Sequence, residues 1–575
     1  MQKTGRELGL SHTSLLVTLL VVAVASVIGC AGEPELAADL VLRNGKVVTV
    51  DEAVLDGEAI AIHGDTILAV GSDDEIARYI GADTEVIDLE GQLAIPGLID
   101  SHAHFMGIGA AKMQLDLMQV ANWDEIVSMV AEAVAEAEPG ELIRGRGWHQ
   151  EKWDREPPGN IDGLPTHHTL SAVSPDNPVV LEHASGHAAF ANAKAMEMAG
   201  ITRETPDPDG GEIVRDAAGN PIGAFRERAQ GLLSAADEYA APSDPRRQVE
   251  LAAEEALSKG VTTIHDPGVS FETVDLYKQM VDEGALGVRL WVMIRQPNDR
   301  LAEHLSDYRM IGYGDDRLTV RGIKVTADGA LGAHGAWLLE PYEDLPSSTG
   351  LNTSPIADLH ETARLAMEHD YQLCVHAIGD RANREVLDVY QTAFEANADK
   401  SDLRWRIEHA QHLHPDDIPR FAQLGVIAAM QGVHCTSDGP WVIPRLGEQR
   451  ARAGAYVWRT LWDLGTVISN GTDAPVEDVD PIASYYATVS RKMKDGDVFF
   501  PEQRLTRMEA LQTYTIKAAY AGFEEDIKGS LTPGKLADIA VLSRDILTIP
   551  EDEIPTADIV YTIVGGKVMY RKEAD

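Results

Sequence analysis

The sequence predicts an α/β protein, in which a TIM-like (β/α)8 barrel is joined to a small composite β-sandwich formed by both ends of the chain. Three observations support this fold class. Residues 39–95 and residues 531–575 both consist of short alternating strand patterns, whereas residues 96–530 alternate apolar runs with amphipathic helical patterns. At 575 residues, the chain is long enough for one large barrel with additions.

The two β-rich ends contain hairpin signals. "RNGK" and "HGDT" near the start, and "GGK" near the end, place Gly or Asn-Gly between apolar runs. Because these ends flank a long α/β segment, we expect them to pair with each other as one sandwich. Pro96-Gly97 then breaks the chain where it passes into the barrel.

The middle segment contains eight expected barrel strands. They are the run before His102 and then "VTTIHD", "GVRLWVMI", "RGIKVTA", "YQLCVH", "RWRIEH", "GVIAAMQ" and "TVISNGTD". Helical patterns lie near 272–283, 357–369, 380–397, 415–424 and 455–464. Residues 107–250 are too long for one crossover and predict an insertion. Asn122 is expected to cap a helix there, and Ser243 with Pro245 to begin another that Gly260 ends.

The charge balance excludes some classes of partner. With 92 acidic and 49 basic residues, the formal net charge is −43. Phosphate binding needs basic patches, so we expect no nucleic-acid partner and no docking on anionic lipid through a charged surface. The expected partner is a small-molecule substrate, and a homo-oligomer is left open.

The N-terminal sequence is typical of a targeting segment that is not part of the folded domain. Lys3 and Arg6 precede a short apolar run, Leu15 to Ile28, that ends in "VIGC" at Cys30. This resembles a bacterial lipoprotein signal, which implies a signal peptide over 1–30, lipidation of Cys30 and a tether over 31–38. The protein would then be exported and lipid-anchored in the cell envelope, with Ala31 favouring the outer membrane. The alternative is an ordinary cleaved signal in which Cys30 is incidental.

Metal-binding residue types cluster at the ends of the expected barrel strands. Alternate strand residues point to one face, so His102 and His104 can both face the barrel axis. Catalytic groups in such barrels lie at the carboxyl ends of the strands, where the sequence places His102, His104, Lys324, His376, His409 and Asp473. Five strands therefore converge on one mouth. A single strand-end histidine is more often structural, but the ordered set predicts a metal centre.

Several motifs together carry a resemblance to a known family. "PGLIDSHAHF", "IKVTADGALG", "VHAIGDRA", "EHAQ", "TDAPV" and "GKLADIAVL" resemble the amidohydrolase superfamily of metal-dependent hydrolases. The branch is the one that includes N-substituted formamide deformylases, and the resemblance covers residues 39 to 573. It implies a composite β-sandwich beside a distorted barrel.

The resemblance also implies a ligand set. His102 and His104 would hold the more buried metal, and His376 and His409 the second. Lys324 would bridge the two as a carbamate. Imidazole and carboxylate donors suit zinc, although other divalent ions fit as well. A lysine can instead pair with a neighbouring acid such as Asp328, so a one-metal site stays open.

Asp473 would ligate the first metal and act as the general base. It would take a proton from the metal-activated water that attacks the carbonyl and pass it to the leaving amine. The alternative is a structural role, in which Asp473 caps a turn.

Three further residues are predicted to contact substrate. Trp148 in "GRGWHQEKWD" and His187 in "EHASGHAAFAN" lie in the insertion, and His434 follows the seventh strand. Trp148 could equally be a core residue. The family usually has Gln-Pro after this strand, whereas this chain has Gln431-Gly432, which leaves the course of the following segment open.

The predicted function is hydrolysis of a non-peptide C–N bond in a small molecule, such as an N-substituted formamide, an N-acyl amine or an N-acyl amino acid. Hydrolysis of an ester, lactone or dipeptide at the same site is the near alternative, because one fold supports many bonds. A non-catalytic surface lipoprotein that uses the barrel for binding is the second alternative.

Overall fold

The computed structural model describes residues 36–239 and 244–573. The predicted signal peptide, with Cys30, and most of the predicted tether lie outside these residues. Among the residues that the structure describes, no helix is long and apolar enough to cross a membrane.

The predicted barrel is confirmed. Eight parallel strands form one sheet in the order eight to one, with seven neighbouring pairs. Barrel strands one to eight are Leu98–Asp100, Val261–Val269, Arg289–Ile294, Leu318–Thr326, Gln372–Ala377, Arg406–His409, Ile427–Gln431 and Ile468–Gly471. A short strand, Met310–Gly312, pairs antiparallel with strand four.

Backbone hydrogen bonds close the barrel between strands one and eight. Ser101 N donates to Asn470 O at 3.0 Å, and Asp473 N donates to His102 O at 2.7 Å. His104 N donates to Ala474 O at 2.7 Å. Closure therefore sets two predicted metal-binding segments directly against each other.

Helices surround the barrel, and several begin at side-chain caps. Ser270 accepts a hydrogen bond from Thr273 N, and Asp244 accepts one from Arg247 N. The cap before Pro245 is thus Asp244, next to the predicted Ser243, which lies outside the described residues. The barrel helices are Phe105–Lys112, Pro245–Ser258, Phe271–Asp282, Asn298–Tyr308, Tyr313–Asp316, Ile356–Glu368, Asp380–Ala396, Ile418–Leu424, Gly432–Leu446, Glu448–Gly454, Trp458–Asp463, Pro481–Ser490, Arg507–Thr513 and Ile516–Ala521, with a 3₁₀ turn at Pro501–Gln503.

The two chain ends form one sandwich, as expected. Leu93–Pro96 pairs antiparallel with Ile539–Leu542, which joins both ends in a single sheet. The five strands of that sheet are Lys46–Val47, Leu93–Pro96, Ile539–Leu542, Ile559–Val564 and Lys567–Arg571. The facing sheet contains Leu40–Arg43, Ala59–His63, Thr66–Gly71 and Glu85–Asp88. Leu42 and Ile60 of one sheet share a buried core with Val541 of the other. Short helical segments lie at Asp73–Ile76, Ala77–Tyr79 and Glu551–Thr556.

The expected insertion between strands one and two forms its own six-stranded sheet. Its strands are Leu115–Asp116, Ile143–Trp148, Val179–His183, Ala188–Ala191, Gly211–Arg215 and Pro221–Glu227. Its helical segments are Trp123–Glu136, Gln150–Lys152, His168–Val173, Ala193–Met198 and Arg228–Tyr239. Asn122 caps the first of these by accepting a hydrogen bond from Glu125 N at 3.2 Å. The insertion supplies one wall of the cavity described next.

Candidate metal centre

A cavity of about 900 Å³ opens at the carboxyl ends of the barrel strands. Five of the six residues predicted for the metal centre line it: His104, Lys324, His376, His409 and Asp473. The sixth, His102, is fully buried behind them. The geometry agrees with the general position of active sites in this class of barrel.

His102 is held with one ring nitrogen free. Its Nδ1 makes a short hydrogen bond to Glu408 Oε2, so the proton lies on Nδ1 and Nε2 keeps its lone pair. That Nε2 lies 3.6 Å from Asp473 Oδ1. His104 Nε2 lies 3.3 Å from the same oxygen, and the His104 side chain is 39% exposed toward the cavity. Burial lowers the pKa of His102 well below its usual range, which keeps the ring neutral, as a ligand must be.

His409 is oriented by the side-chain amide of Gln431. Its Nδ1 donates to Gln431 Oε1 at 2.7 Å, and Gln431 Nε2 donates to Ala429 O at 3.1 Å, which fixes the amide. Nε2 of His409 is therefore free for a metal. His409 has a φ of 77°, a left-handed conformation that is unusual outside glycine. Burial also lowers the pKa of this ring well below its usual range.

Asp473 lies at the centre of the cluster, also in a left-handed conformation with a φ of 58°. Burial alone would raise the pKa of Asp473, but the proximity of His104, whose Nε2 lies 3.3 Å from Oδ1, outweighs burial and holds that pKa well below the usual range. Beneath it, Thr472 Oγ1 donates to Asp100 Oδ2 at 2.6 Å, and Thr472 N donates to Oδ1 at 3.1 Å. His102 N also donates to Asp100 Oδ1, so this buried carboxylate joins the two metal-binding segments.

Lys324 on strand four reaches the same centre. Its Nζ lies 3.4 Å from His102 Nε2, and the side chain is almost fully buried. Burial lowers the pKa of Lys324 to about 8. In this structure Lys324 faces the histidines, and Asp328 bonds elsewhere: it accepts the backbone N–H groups of Ile378, Gly379 and Trp337.

His376 is beside the centre but oriented differently. Its ring centroid lies 4.4 Å from that of His409, yet its Nε2 lies 3.4 Å from Asp328 Oδ1. Two groups of described side chains place their donor atoms within 4.8 Å of one another: His102, His104 and Asp473, and His409, His434 and Asp473. His376 belongs to neither group, so its role as a ligand stays a prediction.

His434 enters the centre from the helix Gly432–Leu446. Its Nε2 lies 3.9 Å from Asp473 Oδ2. Gln411 Nε2 donates to His434 Nδ1 at 3.1 Å, which puts the ring proton on Nε2. Although the distances alone would allow ligation, this tautomer makes His434 a hydrogen-bond donor toward the cavity.

The other two predicted substrate residues both contribute to the cavity wall, in different ways. His187 Nδ1 lies 3.0 Å from Glu227 Oε2. Burial opposes protonation of His187, but the hydrogen bond and charge of Glu227 outweigh it and raise the pKa. Trp148 is fully buried, and its Nε1 donates to Leu181 O at 3.0 Å, which favours the core reading. Its neighbour His149 stacks on Trp441 at the wall, with ring centroids 5.3 Å apart.

The residues present fit a divalent metal. Among the described residues, Asp473 Oδ1 is buried without a hydrogen-bond partner, and it lies 3.3 Å from His104 Nε2 and 3.6 Å from His102 Nε2. Buried polar atoms are rarely left unpaired, so a carboxylate oxygen held beside two ring nitrogens fits a bound cation. The neutral imidazoles and the ionised carboxylate are the donor types that zinc and similar ions prefer.

The sequence patterns do not predict the residues that hold the side chains and segments of the centre in place: Asp100, Glu408, Gln411 and Gln431. The signal for them in the sequence is that they lie close, along the chain, to the predicted metal-binding residues or at the end of a barrel strand. Glu408 precedes His409 directly, Gln411 follows it by two residues and Gln431 ends strand seven. Which histidine each one orients depends on neighbouring strands, and that information is absent from a single strand's pattern.

Comparison with known proteins agrees with this architecture. A family model described as "Amidohydrolase family" matches residues 85–570. Three relatives match over nearly their full length. The protein LONG AFTER FAR-RED 3 of Arabidopsis thaliana is 34% identical, with 93% of this chain and 92% of that protein covered. The putative amidohydrolase YtcJ of Bacillus subtilis is 31% identical, with 92% and 99% covered. The N-substituted formamide deformylase of Arthrobacter pascens is 29% identical, with 93% and 98% covered.

A solved structure is also similar. An uncharacterized metal-dependent hydrolase from Pyrococcus furiosus is 30% identical with a TM-score of 0.69, and the match covers 88% of this chain and all of that one.

Proposed function

Because this chain belongs to the amidohydrolase family, and is therefore a hydrolase, we propose that it cleaves a non-peptide C–N bond, an amide, in a small molecule. The observation that supports this best is the position of Asp473. Its two carboxylate oxygens lie 3.3 Å from His104, 3.6 Å from His102, 3.9 Å from His434 and 4.0 Å from His409. One carboxylate thus lies within 4.0 Å of four histidines at the metal centre.

The proposed cofactor is zinc, as one or two ions, with other divalent metals as substitutes. His102, His104 and Asp473 would hold the first ion. His409 and a carboxylated Lys324 would hold the second, with His376 as a further ligand. When bound, the metal would polarise the scissile carbonyl and lower the pKa of water so that it attacks at neutral pH.

The chain's own residues would manage the proton and the developing charge. Asp473 accepts the proton of the attacking water on a carboxylate oxygen and then returns it to the nitrogen of the leaving amine. His434 donates a hydrogen bond from its Nε2–H to the carbonyl oxygen as negative charge develops there, and it keeps its proton throughout. Glu408 and Gln431 keep the His102 and His409 rings in the tautomers that leave Nε2 free.

Replacement of the base tests the proposal. Asp473→Asn should lower kcat on any cleaved amide by about 10²–10⁴, the usual contribution of general acid–base catalysis. An exposed control, Asp416→Asn, should leave the rate unchanged. Metal content is measured on the same samples, so that loss of the base and loss of the ion are separated. Full activity in Asp473→Asn would overturn the assignment.

The bond class needs its own test. A panel of N-formyl amines, N-acyl amines and matched esters should show amide hydrolysis in preference to ester hydrolysis. One relative is named for the deformylation of N-substituted formamides, which makes N-formyl amines the first compounds to try. Faster cleavage of esters than of amides would replace the amide assignment with the near alternative.

For the N-terminus, we propose lipidation at Cys30 and anchoring in the bacterial cell envelope. Support comes from the order of the charged start, the short apolar run and "VIGC" in the sequence. In the native host, wild type should fractionate with membranes and incorporate labelled palmitate. Cys30→Ala should lose both. A variant that keeps its mature mass and membrane fraction would contradict lipidation.

A further inference from the structure

We propose that Arg295 binds a carboxylate of the substrate, so that the preferred substrates are anionic N-acyl compounds such as N-acyl amino acids. This inference deepens the proposed amide hydrolase and rests on it. It is carried by the position of Arg295 in the cavity and by its lack of a partner.

Arg295 directly follows barrel strand three, at the carboxyl end where the metal centre lies. Its backbone N donates to Val269 O at 2.9 Å, which fixes the start of the side chain. The side chain lines the cavity with Lys324 and His376. Gly268, with a φ of 108°, packs against both neighbours: a Cβ there would lie 3.2 Å from Arg295 Cδ and 3.7 Å from Lys324 Cγ. Arg295 is therefore adjacent to a predicted ligand of the metal centre.

The other arginines of the cavity wall have carboxylate partners. Arg226 pairs with Glu212 at 2.8 Å, and Arg146 and Arg445 make short ion pairs with Glu182 and Asp344. Arg295, by contrast, forms no ion pair and no side-chain hydrogen bond with the residues whose side chains the structure describes, 36–237 and 244–573. Of the four arginines that line the cavity, Arg295 is therefore the one without a carboxylate partner among these residues.

The surroundings of Arg295 favour an anionic ligand. The side chain of Arg295 is exposed, yet the cavity walls partly desolvate its guanidinium and lower its pKa. A charge in such a place is stabilised when an opposite charge arrives, and the planar guanidinium matches a carboxylate with two parallel hydrogen bonds. The carboxylate of an N-acyl amino acid lies close to its amide, which suits an arginine next to the ligands that would surround that amide.

A second role for Arg295 must be separated from this one. Because it lies beside Lys324, it could support a carboxylated Lys324 and never touch substrate. That role would affect charged and uncharged substrates equally and would alter metal content. A substrate-binding role affects only the charged compounds.

The test compares hippurate (N-benzoylglycine) with its uncharged amide on the metal-loaded enzyme. Binding is measured by calorimetry and turnover by release of benzoate. In Arg295→Gln, the Kd and KM for hippurate should rise about tenfold to a hundredfold, as expected for loss of a charged hydrogen bond. The values for the uncharged amide and the metal content should stay unchanged. Arg226→Gln, at an arginine of the same wall that is already paired, is the matched control.

Equal effects on both compounds, no effect on hippurate, or no binding of hippurate by the wild-type enzyme would each overturn the assignment of Arg295. If wild type binds hippurate but cleaves neither compound, amide hydrolysis fails for this class. The difference in binding between the two compounds then still decides the role of Arg295.

Discussion

At the scale of single residues, the candidate centre depends on the partners that orient its histidines. His409 donates to Gln431 Oε1 at 2.7 Å, and without that acceptor the ring is free to rotate or change tautomer. Residues that orient metal ligands typically contribute 10–100-fold to metal affinity. We therefore expect Gln431→Leu to weaken metal binding by about 10–100-fold, measured by competition with a chelator.

The control for this prediction is Gln391→Leu. Gln391 lies on the exposed face of the helix Asp380–Ala396 and bonds only to surface groups. Its replacement should leave metal affinity unchanged. Equal affinity in Gln431→Leu and wild type would show that His409 either does not bind metal or needs no orienting partner.

Residue types at strand ends were enough to predict which side chains meet. The order of these residues, from His102 to Asp473, predicted that they meet at the carboxyl end of a single barrel. Five of the six line a common cavity. The tautomers could not be predicted, because they depend on atoms from other strands. His376 illustrates this: its strand position suits a ligand, but only the three-dimensional structure shows Asp328 next to its Nε2.

At the scale of elements, the segment after strand seven departs most from the expected pattern. The structure has a helix, Gly432–Leu446, despite Pro440 and Pro444 inside it. Gly432 N donates to Asn470 Oδ1 at 2.8 Å, a bond that the proline usual in the family could not make. Gly432 therefore bonds to strand eight through a backbone N–H that proline lacks.

Gly432 also lacks room for a side chain. A Cβ at this position would lie 2.4 Å from Ser484 O, a backbone atom. We expect Gly432→Ala to lower the free energy of unfolding by about 1–3 kcal/mol through overpacking, measured by denaturant titration. Gly231→Ala, where a Cβ would meet nothing within 4 Å, is the control and should be close to neutral. Equal stability of the two variants would contradict the tight packing.

Other helices were missed for a simple physical reason. Asn298–Tyr308 buries only Leu301 and Leu305, so its apolar stripe is short. Helices with longer stripes, such as Asp380–Ala396, were predicted almost to the residue. The hydrophobic periodicity of a sequence reflects how much of a helix is buried. Prediction from it therefore fails for helices that bury few residues and for helices whose pattern is interrupted by proline.

At the scale of the whole molecule, buried neutral histidines couple stability to pH. His412 is fully buried, and burial lowers its pKa to about 3. An unfolded histidine titrates near 6.5, so below that pH the unfolded chain binds a proton that the folded chain does not. Stability contributed by the neutral ring is therefore present above about pH 6.5. It is lost as pH falls toward 3, by up to about 1.4 kcal/mol per pH unit.

We expect His412→Phe to reduce this slope by about one proton between pH 4.5 and 6.5, measured by denaturant titration of chelator-treated protein. The exposed control, His360→Gln, should keep the wild-type slope. An unchanged slope in His412→Phe would mean that His412 is protonated in the folded state.

The central claim is that the carboxyl ends of the barrel strands hold a catalytic metal. Elemental analysis tests it most directly, on signal-free protein grown with zinc and bicarbonate, beside the double variant His102→Asn/His104→Asn and the exposed control His360→Gln. The account predicts one or two metal ions per chain in wild type and control, and a loss of at least one in the double variant. No bound metal in wild type, or an unchanged content in the double variant, would contradict it.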